Sequence, residues 1–395
     1  MNLLNLINRK SKLFLNDLHS YNKQISEIIK NSNFLIIGAA GTIGKAVSLE
    51  VFSRNPKKLH VVDISENNLV ELVRHIRSSY SHEAGDFQQY AIDADSQEFE
   101  QMINVNGPYD YVLNLSALKH VRSEKDPYTL MRMIKVNIFN TLKTLEYCNS
   151  KNTKKYFCVS SDKAANPSNL MGATKRIMEL FLLRESEKIN VSTARFANVA
   201  FSDGSLLYGF NQRFQNNQPI TAPEDINRYF ITPEESGELC LFSTILGENR
   251  ETFFPKLDKD LNLISFSEIA KKFILSKGFE PYECQSEDEA RSKAKELISK
   301  KKWPCLFFKS DTTGEKAYEE FYTEDEKINL SKFSEIGIIE NDLDYNNELL
   351  EEFLKKINSF ITLGKWSRND LKDIISHTLP ELSHKETGKF LDSKM

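Results

Sequence analysis

The sequence predicts an α/β fold: a doubly wound parallel sheet carrying a smaller second domain, with helical extensions at both ends. Three observations predict it. An apolar run, Phe34-Leu35-Ile36-Ile37, stops at Gly38-Ala39-Ala40-Gly41-Thr42-Ile43-Gly44 and passes directly into a helical pattern from Lys45 to Phe52. A second apolar run, Leu59-His60-Val61-Val62, ends in Asp63, nineteen residues beyond Gly44. Short strands and amphipathic helices then go on alternating through Tyr156-Phe157-Cys158-Val159-Ser160, as βαβ units do.

The first two observations together make a nucleotide-binding turn. Glycines let the backbone turn tightly and let a pyrophosphate approach the helix N-terminus, where unpaired N–H groups and the helix dipole favour negative charge. Asp63 stands where a dinucleotide site wants an acceptor for the adenosine ribose hydroxyls. The cofactor-binding candidates here are Gly38, Gly41, Thr42, Ile43, Gly44 and Asp63.

Composition sets the outer limits. A chain of 395 residues, 40% hydrophobic and 27% charged, can bury a large core and divides into two or three domains. The boundaries expected are a helical arm over residues 1–31, a dinucleotide-binding domain over 32–195, a substrate domain over 196–329 with segments returning to the sheet, and a helical extension over 330–395. A net charge of −4 gives no reason to expect nucleic acid as a partner. Five cysteines without C-x-x-C spacing read as reduced core residues, which points to a cytoplasmic protein. No apolar run reaches the roughly 20 residues of a membrane helix, so no integral membrane segment is expected. No metal-ligand spacing occurs, and no metal is expected.

Taken in order, the first thirty residues carry Leu3, Leu4, Ile7, Leu13, Leu15, Leu18, Ile25, Ile28 and Ile29 at roughly helical spacing. The segment mixes acid, amide and base without a strongly basic face. It is therefore expected to dock on the body or on a second subunit of a homo-oligomer rather than on a membrane surface. After Asp63, Leu69, Leu72 and Ile76 mark a helix, and Gln89-Tyr90-Ala91-Ile92 a short strand ending in Asp93. Asp93 could hold the adenine amino group or be a solvated strand-end carboxylate; the residues leave both open. Tyr111 to Ala117 is a strand followed by small residues that let the backbone, at Ala117, lie against a cofactor. Pro127 opens a long helix carrying Asn137, a further cofactor-binding candidate. Beyond residue 279 the sequence says less: residues 285–302 read as a solvated helix, Trp303 to Phe308 as a strand, and 330–395 as two or three amphipathic helices.

The segment after Ser160 carries the most specific signals. Ser161-Asp162-Lys163-Ala164 and Met171-Gly172-Ala173-Thr174-Lys175 follow the glycine turn and Ala117-Leu118-Lys119-His120-Val121. Arg195-Phe196-Ala197-Asn198-Val199 and Arg228-Tyr229-Phe230 come after them. In this order the motifs resemble those of the nucleotide-sugar 4,6-dehydratases of the extended short-chain dehydrogenase/reductase family, Rossmann-type enzymes. The closest likeness is to the UDP-N-acetylglucosamine 4,6-dehydratases of bacterial polysaccharide and glycan biosynthesis. The resemblance covers about residues 33–280 and returns at Gly314-Glu315-Lys316-Ala317-Tyr318-Glu319-Glu320.

The resemblance implies NAD as cofactor and a UDP-sugar as substrate, converted to a 4-keto-6-deoxy sugar nucleotide. It implies that Asp162 protonates the leaving C6 hydroxyl, that Lys163 removes the C5 proton, and that Lys175 holds the nicotinamide ribose. Lys163 must then be neutral some of the time, which burial and the positive nicotinamide ring would favour. Lys119, His120, Asn198 and Arg228 become substrate-binding candidates, the last two for the diphosphate. Without the resemblance, Asp162-Lys163 would read as a surface ion pair, and Arg228 as a salt-bridge residue. Glu319 and Glu320 read equally as nucleotide neighbours or as a solvated helical face.

One position departs from most short-chain dehydrogenases. Four residues before Lys175, where those enzymes carry a tyrosine base, stands Met171, and a thioether cannot act as a base. The chain is then either a catalytically silent nucleotide-binding relative or a member of the subgroup with methionine here. In the second case the C4 hydroxyl proton goes to Lys163, to Ser161 or to a bound water. A 4-epimerase or reductase of the same superfamily is the further alternative, and neither needs an acid-base pair at 162 and 163.

Overall fold

A computed structural model describes residues 2–81, 85–257, 263–311, 316 and 318–384. Its centre is a parallel sheet of β1 (Asn33–Ile37), β2 (Lys58–Asp63), β3 (Asp86–Ala91), β4 (Tyr111–Asn114), β5 (Lys155–Val159) and β6 (Val191–Ala194), in the spatial order 3-2-1-4-5-6. The chain leaves β1 toward β2 on one side and returns to β4 on the other. The strand order therefore reverses between β1 and β4, where open α/β sheets bind ligands beyond the carboxyl ends of their strands.

Past β6 the chain forms β7 (Asn198–Val199), β8 (Ile220–Pro223), β9 (Asn227–Ile231), β10 (Glu251–Pro255), β11 (Leu263–Ser265), β12 (Glu280–Glu283), β13 (Lys302–Phe308), β14 (Ile328–Asn329) and β15 (Ile336–Glu340). β10 joins β6 in parallel and β15 and β14 follow antiparallel, which extends the large sheet to nine strands. Two sheets of three strands, β11-β9-β7 and β12-β13-β8, make the smaller layer beside it.

Side chains of β1 alternate between the two faces, as a pleated strand requires. Phe34 and Ile36 enter one core with Val47 and Val51 of the helix Thr42–Ser53 and Leu239 and Phe242 of the helix Pro233–Leu246. Leu35 and Ile37 enter the other, with Ile134, Ile177, Phe181 and, from the C-terminal helix Asn347–Leu363, Leu350 and Phe353. The N-terminal arm packs on the body. Phe14, Ile25 and Ile29 are buried in the first core, the Arg9 guanidinium meets the Glu235 carboxylate out of solvent, and Asp17 accepts from the Ser334 and Glu335 amides.

Two elements differ from the sequence reading, the stretch 330–395 and the long helix from Pro127. The stretch 330–395 is not wholly helical: it opens with β15, because the run Ile336-Gly337-Ile338-Ile339 pairs with β10, and two helices follow, Asn347–Leu363 and Arg368–Thr378. The fourth strand ends at Asn114, ahead of the small residues, where the Asn114 side chain accepts from the Ser116 amide and hydroxyl and bends the chain over the strand end. The long helix from Pro127 is interrupted at Lys135–Phe139 by a π turn that carries Asn137. All five cysteines are buried and unbridged. Among the described residues no helix is long and apolar enough to cross a membrane, and no cluster could hold a metal ion.

Candidate active site

A cavity of about 450 Å³ opens at the reversal between β1 and β4. The glycine turn forms one wall. Gly38 has a φ of 75°, and a Cβ there would lie 2.6 Å from the Ser116 amide nitrogen, so only glycine lets β1 and β4 end side by side. At Gly44 a Cβ would stand 1.9 Å from the Gly38 carbonyl oxygen, which is why the helix can start hard against the turn. The helix opens at Thr42, capped by Gly41 with no side chain, and so leaves its first N–H groups facing the cavity.

Of the sequence-derived candidates, the cavity gathers Gly38, Gly41, Thr42, Ile43, Gly44, Ala117, Lys119, His120, Ser161, Asp162, Lys163, Met171, Lys175 and Asn198. Four lie elsewhere. Asp63 ends β2 and accepts from the Ala40 amide at 2.9 Å and the Ser65 amide at 2.9 Å, which fixes its carboxylate at the strand end beside the glycine turn. Asp93 is exposed and accepts from the Asp95 amide of its own loop, the solvated reading of that residue. Asn137 is buried; its amide clasps Leu118 through both the N–H and the carbonyl, and bonds Thr174, so it positions the loop that carries Lys119 and His120 without reaching the cavity. Arg228 is buried behind the site, donates to the carbonyls of Asn227 and Lys316, and faces the Glu319 carboxylate at 3.8 Å, which gives no geometric support to a diphosphate role.

The acid-base loop follows β5. Ser161 caps a short 3-10 turn, Asp162–Ala164. Asp162 Oδ1 accepts from the Ser161 hydroxyl at 2.9 Å, the Lys163 amide at 2.8 Å and Lys163 Nζ at 3.1 Å. Lys163 Nζ also lies 3.7 Å from Glu319 Oε1. Burial pulls the Lys163 pKa down, but the Asp162 and Glu319 carboxylates outweigh it and hold the group above the ordinary lysine value. Burial acts in the expected direction, but alone it does not make Lys163 neutral beside these two carboxylates. Glu319 is also raised, because burial, which penalises its charged form, outweighs the pull of Lys163.

The helix Leu170–Glu185 sets the floor of the cavity. Glu124, fully buried, accepts from the Met171 amide at 2.7 Å, and Asn169 caps the helix through Gly172. One turn on, Lys175 Nζ donates to the Val159 carbonyl at 2.9 Å, and burial lowers its pKa. From the opposite rim the Thr42 hydroxyl donates to the Asp203 carboxylate at 3.1 Å and accepts from the Asp203 amide at 2.9 Å, which ties the loop after β7 to the glycine turn.

The sequence reading left Glu319 open between a nucleotide neighbour and a solvated face, and did not single out Asp203 or Glu124. Only Glu319 had a signal, in a motif whose Gly314, Glu315 and Ala317 lie outside the described residues. Here Glu319 is buried, and Glu320 is the surface residue, accepting from Asn166.

Comparison with known proteins adds the following. A family model for "Polysaccharide biosynthesis protein" matches residues 34–341. An uncharacterized membrane protein of Methanocaldococcus jannaschii is 28% identical, over 85% of this chain and 97% of its own length. The capsular polysaccharide biosynthesis protein CapD of Staphylococcus aureus is 27% identical over 85% of this chain but 54% of its own, so this chain spans about half of that relative. A UDP-N-acetylglucosamine 4,6-dehydratase (inverting) of Campylobacter jejuni is 27% identical over 58% of this chain and 68% of its own. Among solved structures, Pen from Bacillus thuringiensis superposes with a TM-score of 0.65 at 24% identity, covering 85% of this chain and 98% of that one. Bordetella bronchiseptica WbmF in complex with NAD+ gives 0.52 at 16%, covering 64% and 81%. A UDP-N-acetylglucosamine 4-epimerase of Methanobrevibacter ruminantium gives 0.56 at 16%, covering 85% and 99%. At these identities the superpositions establish the Rossmann-type fold.

Proposed function

Because the chain belongs to the polysaccharide biosynthesis protein family, whose model spans residues 34–341, we propose that it is an NAD-dependent 4,6-dehydratase of a UDP-N-acetylhexosamine, with UDP-N-acetylglucosamine the first choice. The observation that carries this reading is the Ser161-Asp162-Lys163 cluster, bonded together on the cavity wall beside Met171 and Lys175. An epimerase, the activity named for several of the structural relatives, has no use for a paired acid and base.

The residues present fit a dinucleotide: Gly38 and Gly44 leave a backbone cradle that any Cβ would fill, at the start of a helix whose N–H groups are open. Gly41, Thr42 and Ile43 would hold the pyrophosphate, Ala117 the nicotinamide side and Lys175 the adjoining ribose. Bound NAD supplies the acceptor for the C4 hydride and the donor that returns it at C6. Asp63 repels a 2′-phosphate, and Ile64-Ser65-Glu66-Asn67 offers no cation to receive one, so cofactor extracted from purified protein is expected to be NAD rather than NADP.

The Ser161–Asp162 hydrogen bond supports one proton path. Ser161 Oγ lies 2.9 Å from Asp162 Oδ1, so a proton leaving the C4 hydroxyl through Ser161 reaches Asp162. This replaces the tyrosine that Met171 cannot supply. Asp162, now protonated, gives that proton to the C6 oxygen, which leaves as water. Lys163 removes the C5 proton and returns a proton to C5 as C6 is reduced, so the site ends with the protons it began with. Lys119, His120 and Asn198 line the cavity and are assigned to the UDP-sugar. Incubation with UDP-N-acetylglucosamine, followed by mass, tests the reading. Loss of one water supports it; an isomer means an epimerase, and no change means a silent relative.

A further inference from the structure

Glu319 is the residue the mechanism above leaves unused. It is buried to 3% exposure, and its Oε2 accepts no hydrogen bond among the described residues. A buried carboxylate oxygen left without a hydrogen bond carries an uncompensated desolvation penalty, and that asks for a reason. The surrounding groups supply one. Glu319 Oε1 faces Lys163 Nζ at 3.7 Å and Arg228 at 3.8 Å, while Lys316 Nζ stands 3.8 Å from Oε2. Arg228 spends donors on two backbone carbonyls, and Lys316 bonds the Asn166 carbonyl. Three cations therefore approach the carboxylate, each at ion-pair rather than hydrogen-bond distance. The carboxylate is held near Lys163 without being saturated.

Lys163 has a matching need. As drawn from the geometry it rests as an ammonium, bonded to Asp162, and an ammonium cannot remove the C5 proton. Asp162 cannot relieve it, because Asp162 is already carrying the proton from the C4 hydroxyl when the C5 proton must leave. We propose that Glu319 is the proton acceptor that frees Lys163, a positioning residue that acts on the reaction through the lysine. The Lys163 N–H bond breaks and a Glu319 O–H bond forms, giving a neutral amine beside a neutral carboxylic acid. The amine takes the C5 proton, later returns one to C5, and the carboxylic acid then gives its proton back to the lysine. No proton enters from or leaves to solvent, and nothing is oxidised or reduced in this transfer.

The inference rests on the dehydratase reading, and its test separates the two. In the wild type the neutral pair is a fixed fraction of the ion pair, so turnover of UDP-N-acetylglucosamine is expected to be flat with pH through the neutral range. In Glu319→Gln the lysine must lose its proton to solvent. Activity at pH 7 is expected to fall about 10²-fold and to climb about tenfold per pH unit. Glu319→Asp, which keeps a carboxylate, should retain the flat profile at a lower level. A Gln variant that stays flat, falls equally at every pH, or gains activity at pH 7 overturns the proposal.

A second readout needs no turnover. Lys163 is 18% exposed at the cavity, open to a small reagent such as acetic anhydride. The midpoint of its pH-dependent acetylation, read by mass spectrometry on the purified protein, should move to lower pH in Glu319→Gln. An unmoved midpoint also overturns the proposal. A wild type that removes no water would sink the dehydratase reading while leaving this midpoint to judge the proton sharing.

Discussion

Two clusters of buried charge, one around Arg195 and one around Glu319, are bonded in opposite ways. Arg195, 1% exposed, donates to Glu179 at 3.0 and 2.8 Å, to Glu326 at 2.8 and 2.8 Å, and to the Phe321 carbonyl at 2.9 Å. Ser160 completes Glu179 at 2.6 Å. The other cluster, Lys163, Glu319, Arg228 and Lys316, is held around its carboxylate at 3.7 to 3.8 Å, with one oxygen unbonded. The first has spent every donor on fixing geometry. It pins the segment 321–326 to β6 and to the helix that carries Lys175. The second keeps groups whose protons can still move. A fully bonded buried ion network rigidifies, whereas a half-satisfied one is costly to hold and is expected where chemistry needs it.

The largest effect that would break this contrast lies in the loose cluster. Asp162→Asn and Lys163→Ala are each expected to lower dehydration about 10²–10⁴-fold while leaving the fold and bound cofactor in place, since both sit on a strand-end loop. Turnover and cofactor content, measured on the same preparation, decide it. Near-full turnover in either variant would mean that the cluster is not the reactive one.

The saturated cluster should answer the other way. Arg195→Met leaves Glu179 and Glu326 without their partner in the interior, and removal of one member of a buried pair costs about 3–5 kcal/mol. Thermal unfolding should drop accordingly, with turnover per folded molecule within a few-fold of wild type. Equal stability would show that the clamp is ornamental.

Acid sharpens the same difference. Burial alone would raise Glu179, but the Arg195 guanidinium beside it overrides that and holds its pKa down at about 2, below the usual 4.5. A carboxylate depressed in the folded state contributes stability that is complete above its unfolded pKa and is lost as pH falls toward the folded value. Stability should therefore decline between about pH 4.5 and 2, and this part of the decline should be smaller in Arg195→Met. Unfolding midpoints for both proteins across that range measure it.

How far the sequence reaches follows from what each feature depends on. The glycine turn, Ser161-Asp162-Lys163 and Met171 with Lys175 are local: strand, turn and helix fall within one short segment, and their spacing decides which side chains share a cavity. Glu319 meets Lys163 only because the chain comes back past the acid-base loop ahead of β14 and β15; the motif around residue 319 allowed a nucleotide neighbour but could not say that the carboxylate faces the lysine. Arg228 shows the same limit. Its motif marked it as important, yet the direction of its guanidinium depends on where Lys316 and Glu319 come to lie. β15 was hidden for a related reason, since a four-residue apolar run reads as strand or helix until a partner such as β10 is known.

Met171 carries the smallest expected effect and the finest distinction. If Ser161 and Asp162 take the C4 proton, the thioether has no chemical task, and its role is to fill the cavity floor one turn before Lys175. Its backbone amide is already held by Glu124 at 2.7 Å, so changing the side chain leaves the helix start in place. Met171→Leu conserves volume and should cost less than about 1.5 kcal/mol, with turnover within a few-fold of wild type. Met171→Tyr restores the base common in related enzymes but adds bulk at a residue 3% exposed and a hydroxyl in need of a partner. It should gain nothing and lose activity by crowding. A wild type silent on UDP-N-acetylglucosamine, paired with a Met171→Tyr variant that turns over, would show instead that the site lost its base at residue 171, and that the Ser161-Asp162 route does not operate.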